Sequence, residues 1–309
     1  MTTPVLLTID TELRWDWRGS SWQDNLALSF DPAGVGIAYQ LDRLAAYGLK
    51  ACFFVDPMPA LHYGLEPIRR MVEPILAAGQ EVQLHLHPCW ADPADPVFEL
   101  TGLDPERQSE LIRTARDLLV EAGAPPPVAF RSGSYAADRA TLQALAGLGI
   151  AYDSSHNGSH HPDPSDLPLD PRRIAPALVE GVIEIPVTQI EPRPGQLRHL
   201  QICAVSFDEM RAALLHAADR GHPVATLVGH SFELATRGGK RGNPTLVRRF
   251  ERLCGFLAGH RERLPTAFFS DLSSLPLDSK ARPLRSGALL TVSRMAQQAW
   301  GNAVYERRL

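Results

Sequence analysis

The chain has 309 residues, of which 44% are hydrophobic and 21% charged, and its formal net charge is -4. This is ordinary globular composition, with apolar material enough for one large α/β barrel or two average domains. It excludes a function built on disorder, and without a basic surplus neither nucleic acid nor an anionic membrane surface is an expected partner.

The first ten residues, MTTPVLLTID, hold no basic leader and no long apolar stretch, so they read as a first core strand. No segment approaches the roughly 18 apolar residues of a membrane span. The four cysteines (Cys52, Cys89, Cys203 and Cys254) are far apart and lack CxxC spacing. A reducing, cytoplasmic setting is the expectation.

In chain order, apolar β-rich runs alternate with amphipathic stretches. Val5 to Ile9 predicts a strand, and Asp31 to Tyr47 a helix that stops at Gly48. Ala51 to Val55 predicts a buried strand, Glu66 to Ala78 a helix, and Glu81 to His87 a third strand. Pro105 to Ala122 (helix), Val128 to Phe130 (strand), Asp138 to Leu148 (helix) and Ile150 to Tyr152 (strand) continue the rhythm. After them come a strand at Val182 to Val187, a helix at Ser206 to Arg220 and a strand at Val224 to Val228. Thr245 to His260 predicts a helix, and Ala267 to Phe269 a last strand. Strand and helix alternating this regularly predict parallel β/α units, and unbroken apolar strands predict a sheet covered on both faces. Seven or eight units point to an irregular β/α barrel in residues 1–285. Residues 286–309 read as a helical tail packed outside it, and His156 to Pro176 as a long surface loop.

In such folds the active site collects at the carboxyl ends of the strands. Those ends carry Asp10 and Glu12, Asp56, His85 and His87, Arg131, Asp153, His230 and Asp271. Alternate residues of an extended chain point the same way. Asp10 and Glu12 can therefore aim two carboxylates at one point, and His85 and His87 two imidazoles. One carboxylate and two imidazoles suit zinc with an open position for water, though cobalt, nickel and manganese remain eligible. A carboxylate that is not a ligand could take the water's proton. Trp15, Trp17 and Trp22 follow the first strand and could stack on a sugar. His156, His160 and His161 read as loop histidines.

These residues resemble the polysaccharide deacetylases of carbohydrate esterase family four. The resemblance rests on LLTIDTE, HLHP, RSGSY, YDSS and TLVGHSFEL, five segments in the family's order between Thr8 and Leu234. It implies a deformed barrel of about seven strands and a metal site of one acid and two histidines. It also implies that Asp10 is the general base paired with Arg131, that His230 is the general acid, that Asp153 belongs to the catalytic set, and that His85 and His87 bind metal. The family's metal aspartate falls on Thr11 here, a poor zinc ligand. Strand geometry substitutes Glu12, with the reverse assignment of Asp10 as ligand and Glu12 as base also open. The implied activity is metal-dependent removal of an N-acyl group from an amino sugar or saccharide. An amidase acting on a small non-sugar amide and a non-catalytic glycan-binding barrel are the alternatives.

Overall fold

The computed structural model describes residues 2–272, 274–277 and 279–305. The end of the expected tail, residues 306–309, lies outside the described residues. The strands are β1 (Val5–Thr11), β2 (Cys52–Val55), β3 (Glu81–Leu86), β4 (Ala129–Ser132), β5 (Tyr152–Asp153), β6 (Ala177–Val179), β7 (Val182–Glu184), β8 (Gln189–Arg193), β9 (Gln196–His199), β10 (Ala225–His230) and β11 (Leu284–Arg285). The helices are α1 (Trp22–Ser29), α2 (Ile37–Tyr47), α3 (Ala60–Tyr63), α4 (Glu66–Ala77), α5 (Pro105–Glu121), α6 (Arg139–Gly147), α7 (Phe207–Arg220), α8 (Pro244–Gly259) and α9 (Ala288–Val304).

The main sheet runs β10-β1-β2-β3-β4-β5-β7-β6. Its pairs are parallel except β6 with β7. The sheet curls, and irregular bonds join its ends. Thr188 N, just beyond β7, donates to Thr226 O of β10 at 3.1 Å. Val228 N of β10 donates to Leu200 O at 2.9 Å, and Ile202 N donates back to Val228 O at 3.1 Å. The result is the expected irregular β/α barrel. Outside it, β8 and β9 form an antiparallel pair, with β11 parallel to β8.

Period-two alternation sorts each strand between two cores. Val5, Leu7, Ile9, Phe53, Val55, Leu84 and Phe130 pack against the helices. Leu6, Cys52, Phe54 and Ala129 fill the barrel interior with Ile185 and Phe269. The interior parity continues upward to Thr8 and Asp10 on β1 with Glu12 just beyond it, His85 on β3 with His87 just beyond it, and Arg131 on β4. Local signals hold the helices in place. Asp104 caps α5 by accepting from Arg107 N, and Ser206 with Glu209 forms a capping box on α7. Gly221 ends α7 with φ 63°, the left-handed cap that glycine takes most readily.

Three expectations need correction. Ala267 to Phe269 is not a strand. One bridge, Val5 to Thr266, stands just before it and Ala267 N donates to Val5 O at 3.0 Å, but then Phe269 N and Ser270 N donate to the carboxylate of Glu81 at 2.8 and 3.0 Å. A side chain has taken the donors that a ladder would use. His156 to Pro176 is irregular but is not a surface loop. His156, Asn157, Ser165 and Leu167 are fully buried, and Asn157 N donates to Ser165 Oγ at 3.2 Å. The third correction, at Asp153, belongs to the site. Helix α1 was not foreseen, being short and weakly patterned. Helix α9 lies against the barrel, with Arg294 Nε 3.3 Å from Glu209 Oε1 of α7. No described helix is long and apolar enough to cross a membrane.

Candidate metal centre

Strand register sets the site's level. Asp10 pairs with Phe54 on one side and His230 on the other, and His85 pairs with Arg131. Among the described residues, Glu12, His85 and His87 are the one group of three or more potential ligands whose donor atoms all lie within 4.8 Å of one another. His87 Nε2 is 2.5 Å and His85 Nε2 3.4 Å from the same atom, Glu12 Oε2. That oxygen is buried and accepts no hydrogen bond of proper direction. Two nitrogens turned on one unsatisfied oxygen are what a shared cation requires.

The environment of His85 strengthens the fit. Its Nδ1 lies 2.7 Å from Arg131 O. A carbonyl can only accept, so the proton sits on Nδ1 and the Nε2 lone pair faces Glu12. Burial would raise the Glu12 carboxyl, but His87 and His85 together hold it well below the ordinary value. Burial would lower His87, yet Glu12 beside it pushes it up to about 9. The bare site is thus an ion pair whose proton a divalent cation would replace. The residues present therefore fit a metal of the zinc type.

Beside this cluster Arg131 is wholly buried, with Nη1 at 2.7 Å from Asp10 Oδ1 and 2.8 Å from Thr8 Oγ1. Its guanidinium also lies over the Phe54 ring at 4.4 Å and bonds Ser154. Asp10 Oδ2 faces His230 Nε2 across 3.9 Å, too long for a direct hydrogen bond. A cavity of about 170 Å³ opens here, lined by Asp10, Glu12, His85, His87, Tyr135 and His230 with Ser132 and Ser134. Ser134 and Tyr135 both have left-handed backbone, φ 55° and 62°, a strain that collects at functional sites. Gly133 is required where it stands, because a Cβ there would overlap the His87 ring. The Tyr135 hydroxyl is buried without a partner.

No family model matches the chain. Over 176 residues it is 26% identical to a peptidoglycan deacetylase-like protein of Gibberella zeae, a match covering 54% of this chain and 48% of that protein. The chain thus spans about half the length of the curated relative it matches. A crystal structure from Mycobacterium smegmatis that carries a polysaccharide-deacetylase name superposes with a TM-score of 0.58 and 22% identity. The superposition covers 91% of this chain and 94% of that one. The chain is similar to the polysaccharide deacetylases. The solved structure, at 22% identity, shows that it shares their fold.

As a divergent deacetylase-like chain it differs from the motif-based expectation at Asp153. This residue pairs with Phe130, so it faces the helix side of the sheet and not the cavity. Its partners are Ser155, whose Oγ donates at 2.7 Å, and Glu184, opposite it on β7. Parity gives the interior side to its neighbour Ser154, and Asp153 is not among the residues that line the cavity. Thr11 also points away, with Oγ1 near Ile9 O. Trp15 packs edge-on to Trp90 at 4.9 Å, which makes it a packing residue. Trp22 is half-buried at the start of α1, and the side chain of Trp17 lies outside the described residues.

Two relevant residues, Glu233 and Gln201, escaped sequence reading, and a third, Asp56, was noted at its strand end but given no role. Asp56 is wholly buried near the cluster, with Oδ2 unpartnered. Burial, partly offset by His87 and His85, pushes its carboxyl up to about 6. Its position after CFFV was a usable signal. Glu233 stands three residues beyond His230, a spacing that could have drawn notice. Gln201 gave no signal, because its place beside His230 comes from the irregular closure of the barrel.

Proposed function

We propose that this chain is a metal-dependent hydrolase that removes an N-acetyl group from an amino sugar or saccharide. The observation that carries the reading is the convergence of Glu12, His85 and His87 beside the Asp10–Arg131 pair, with His230 across the cavity. Glu12 Oε2, His85 Nε2 and His87 Nε2 would hold a divalent metal, zinc by ligand type. That metal would supply Lewis-acid polarisation of the acyl oxygen and activation of water.

The chain's own residues do the rest. Asp10 Oδ2 takes the water's proton, while Arg131 holds Oδ1 and neutralises the buried charge. The backbone N–H at Tyr135 faces the developing oxyanion. His230 presents Nε2 to the leaving side. The cavity of about 170 Å³ is smaller than a site that encloses a whole ligand, roughly 300 Å³ or more, so it takes the acyl end while the sugar lies outside. The same small cavity suits a compact non-sugar amide. Acetylated amino-sugar oligomers compared with simple N-acetyl amides separate the two readings.

Asp10→Asn should abolish acetate release and His230→Ala should cut it by roughly 100-fold or more, while circular dichroism stays unchanged in both. Turnover near wild type in either variant would refute the role assigned. Metal content measured by mass spectrometry on protein purified without chelator should approach one equivalent per chain. A metal-free active protein would refute the metal reading.

A further inference from the structure

Behind His230 lies a run of side chains that the scheme above leaves unused. Gln201 follows β9 and bridges to Val228 of β10. Its amide nitrogen is 2.9 Å from Glu233 Oε1 and 3.2 Å from His230 Nδ1. Its amide oxygen is 2.7 Å from His199 Nε2. Glu233 also accepts from Cys203 N at 3.0 Å and, through its other oxygen, from His230 N at 3.1 Å.

This arrangement fixes the orientation of the amide. A carboxylate accepts and cannot donate, so the Gln201 atom facing Glu233 must be the NH2 group. Turning the amide over would set two acceptor oxygens against each other. One NH2 hydrogen goes to Glu233, and the other points at His230 Nδ1. Nδ1 is then an acceptor, which leaves the ring proton of His230 on Nε2, the nitrogen facing Asp10. His199 is consistent with this order. It gives its Nε2 proton to the Gln201 oxygen, and its Nδ1 sits 2.9 Å from the Ser159 hydroxyl.

A histidine that protonates a leaving amine starts as an imidazolium and needs an acceptor at Nδ1. Here Nδ1 meets an N–H. We infer that His230 acts as a neutral N–H donor to the reacting group, that Gln201 is the positioning residue that sets this tautomer, and that Asp10 shuttles the proton. The inference rests on the deacetylase reading. The balance is simple. The water oxygen bonds the acyl carbon, and one of its protons passes to Asp10 Oδ2. The C–N bond then breaks, and the proton passes from Asp10 to the amine nitrogen. The second water proton stays on the hydroxyl of the acid formed and passes to solvent when acetic acid ionises to acetate, the free amine leaves, and His230 loses no proton. Neutral imidazole used in this way donates a hydrogen bond to the reacting group without being consumed as an acid.

Two measurements test this. In the full-length protein with labelled histidines, nitrogen NMR at the assay pH should show His230 with a bare Nδ1 and a protonated Nε2. The His230→Gln spectrum assigns the signals. A protonated Nδ1 overturns the proposal. This readout needs no turnover, so it stands even if no acetylated substrate is cleaved and the deacetylase reading fails. In the activity assay, glutamine can donate a hydrogen bond but cannot transfer a proton. His230→Gln should keep kcat within about tenfold, whereas His230→Ala should lose roughly 100- to 1,000-fold, the effect of removing one oxyanion donor. Equal loss in both overturns the neutral-donor role. Gln201→Glu places an acceptor at Nδ1 and should move the ring proton there, lowering kcat with KM little changed. An unmoved proton in that variant overturns the role of Gln201.

Discussion

Two pairs of carboxylates lie on opposite faces of this barrel wall, and they behave differently. Asp10 and Glu12 point inward, where Arg131 meets the first and two imidazoles meet the second. Asp153 and Glu184 point outward under the helices, side by side, with hydroxyl and backbone partners but no cation within bonding distance among the described residues. Burial raises both Asp153 and Glu184, Glu184 strongly, because two adjacent acids in a dry site share a proton. Glu12, at the cavity and less deeply buried, is held low by its histidines. The contrast teaches that burial does not by itself make an acid useful. Its chemistry depends on what stands opposite, and on whether a cavity lets a substrate reach it.

Four experiments can break or sharpen that comparison. Removing the inner acid should matter most. Glu12→Ala should lose the bound metal and cut turnover by more than about 100-fold, beyond what an outer partner of a ligand is worth. Metal analysis with acetate-release kinetics decides it, and a variant that keeps its metal would break the contrast. Arg131→Leu should cost roughly 3–5 kcal/mol in urea unfolding, because it leaves Asp10 buried without its cation. A cost below about 1 kcal/mol, the scale of an exposed pair, would show that the ion pair does not hold the site.

Gly133→Ala should fold, yet bind metal about 10- to 100-fold more weakly, since its Cβ displaces His87. Titration calorimetry with the metal reads this. The smallest effect belongs to the outer pair. Glu184→Gln should leave turnover unchanged and alter only the pH dependence of stability. A carboxyl raised in the folded state holds a proton that the unfolded chain has released, so wild-type stability falls as pH rises above the ordinary glutamate range. The variant should flatten that fall. A large loss of acetate release in Glu184→Gln would return the outer pair to the site.

Much of this was legible in the sequence. Strand and helix periodicity located the β/α units within a few residues, since one face of each element must be apolar to bury. The same period-two rule put Asp10 with Glu12 and His85 with His87 on common faces, and the structure brings these pairs together. Applied to Asp153, the rule would have warned against it. Tyr152 is an interior residue, so its neighbour must face the other way. The motif match pointed to Asp153, whereas parity turns its side chain away from the cavity. The segment Ala267 to Phe269 misled for another reason. It is apolar like a strand, but side chains take its later backbone donors, Asp271 that of Phe268 and Glu81, distant in sequence, that of Phe269.

The sequence by itself determined the alternation of elements, the inward aim of the metal-ligand candidates and the resemblance to deacetylases. Each depends on neighbours within a few residues or on short motifs. Only the tertiary structure decided that one oxygen of Glu12 receives both imidazoles, that Arg131 reaches Asp10 from 121 positions away, and that Gln201 stands behind His230. These contacts depend on how the sheet curls and where its two ends meet. Curvature and closure are set by the packing of the whole chain, and no local pattern encodes them.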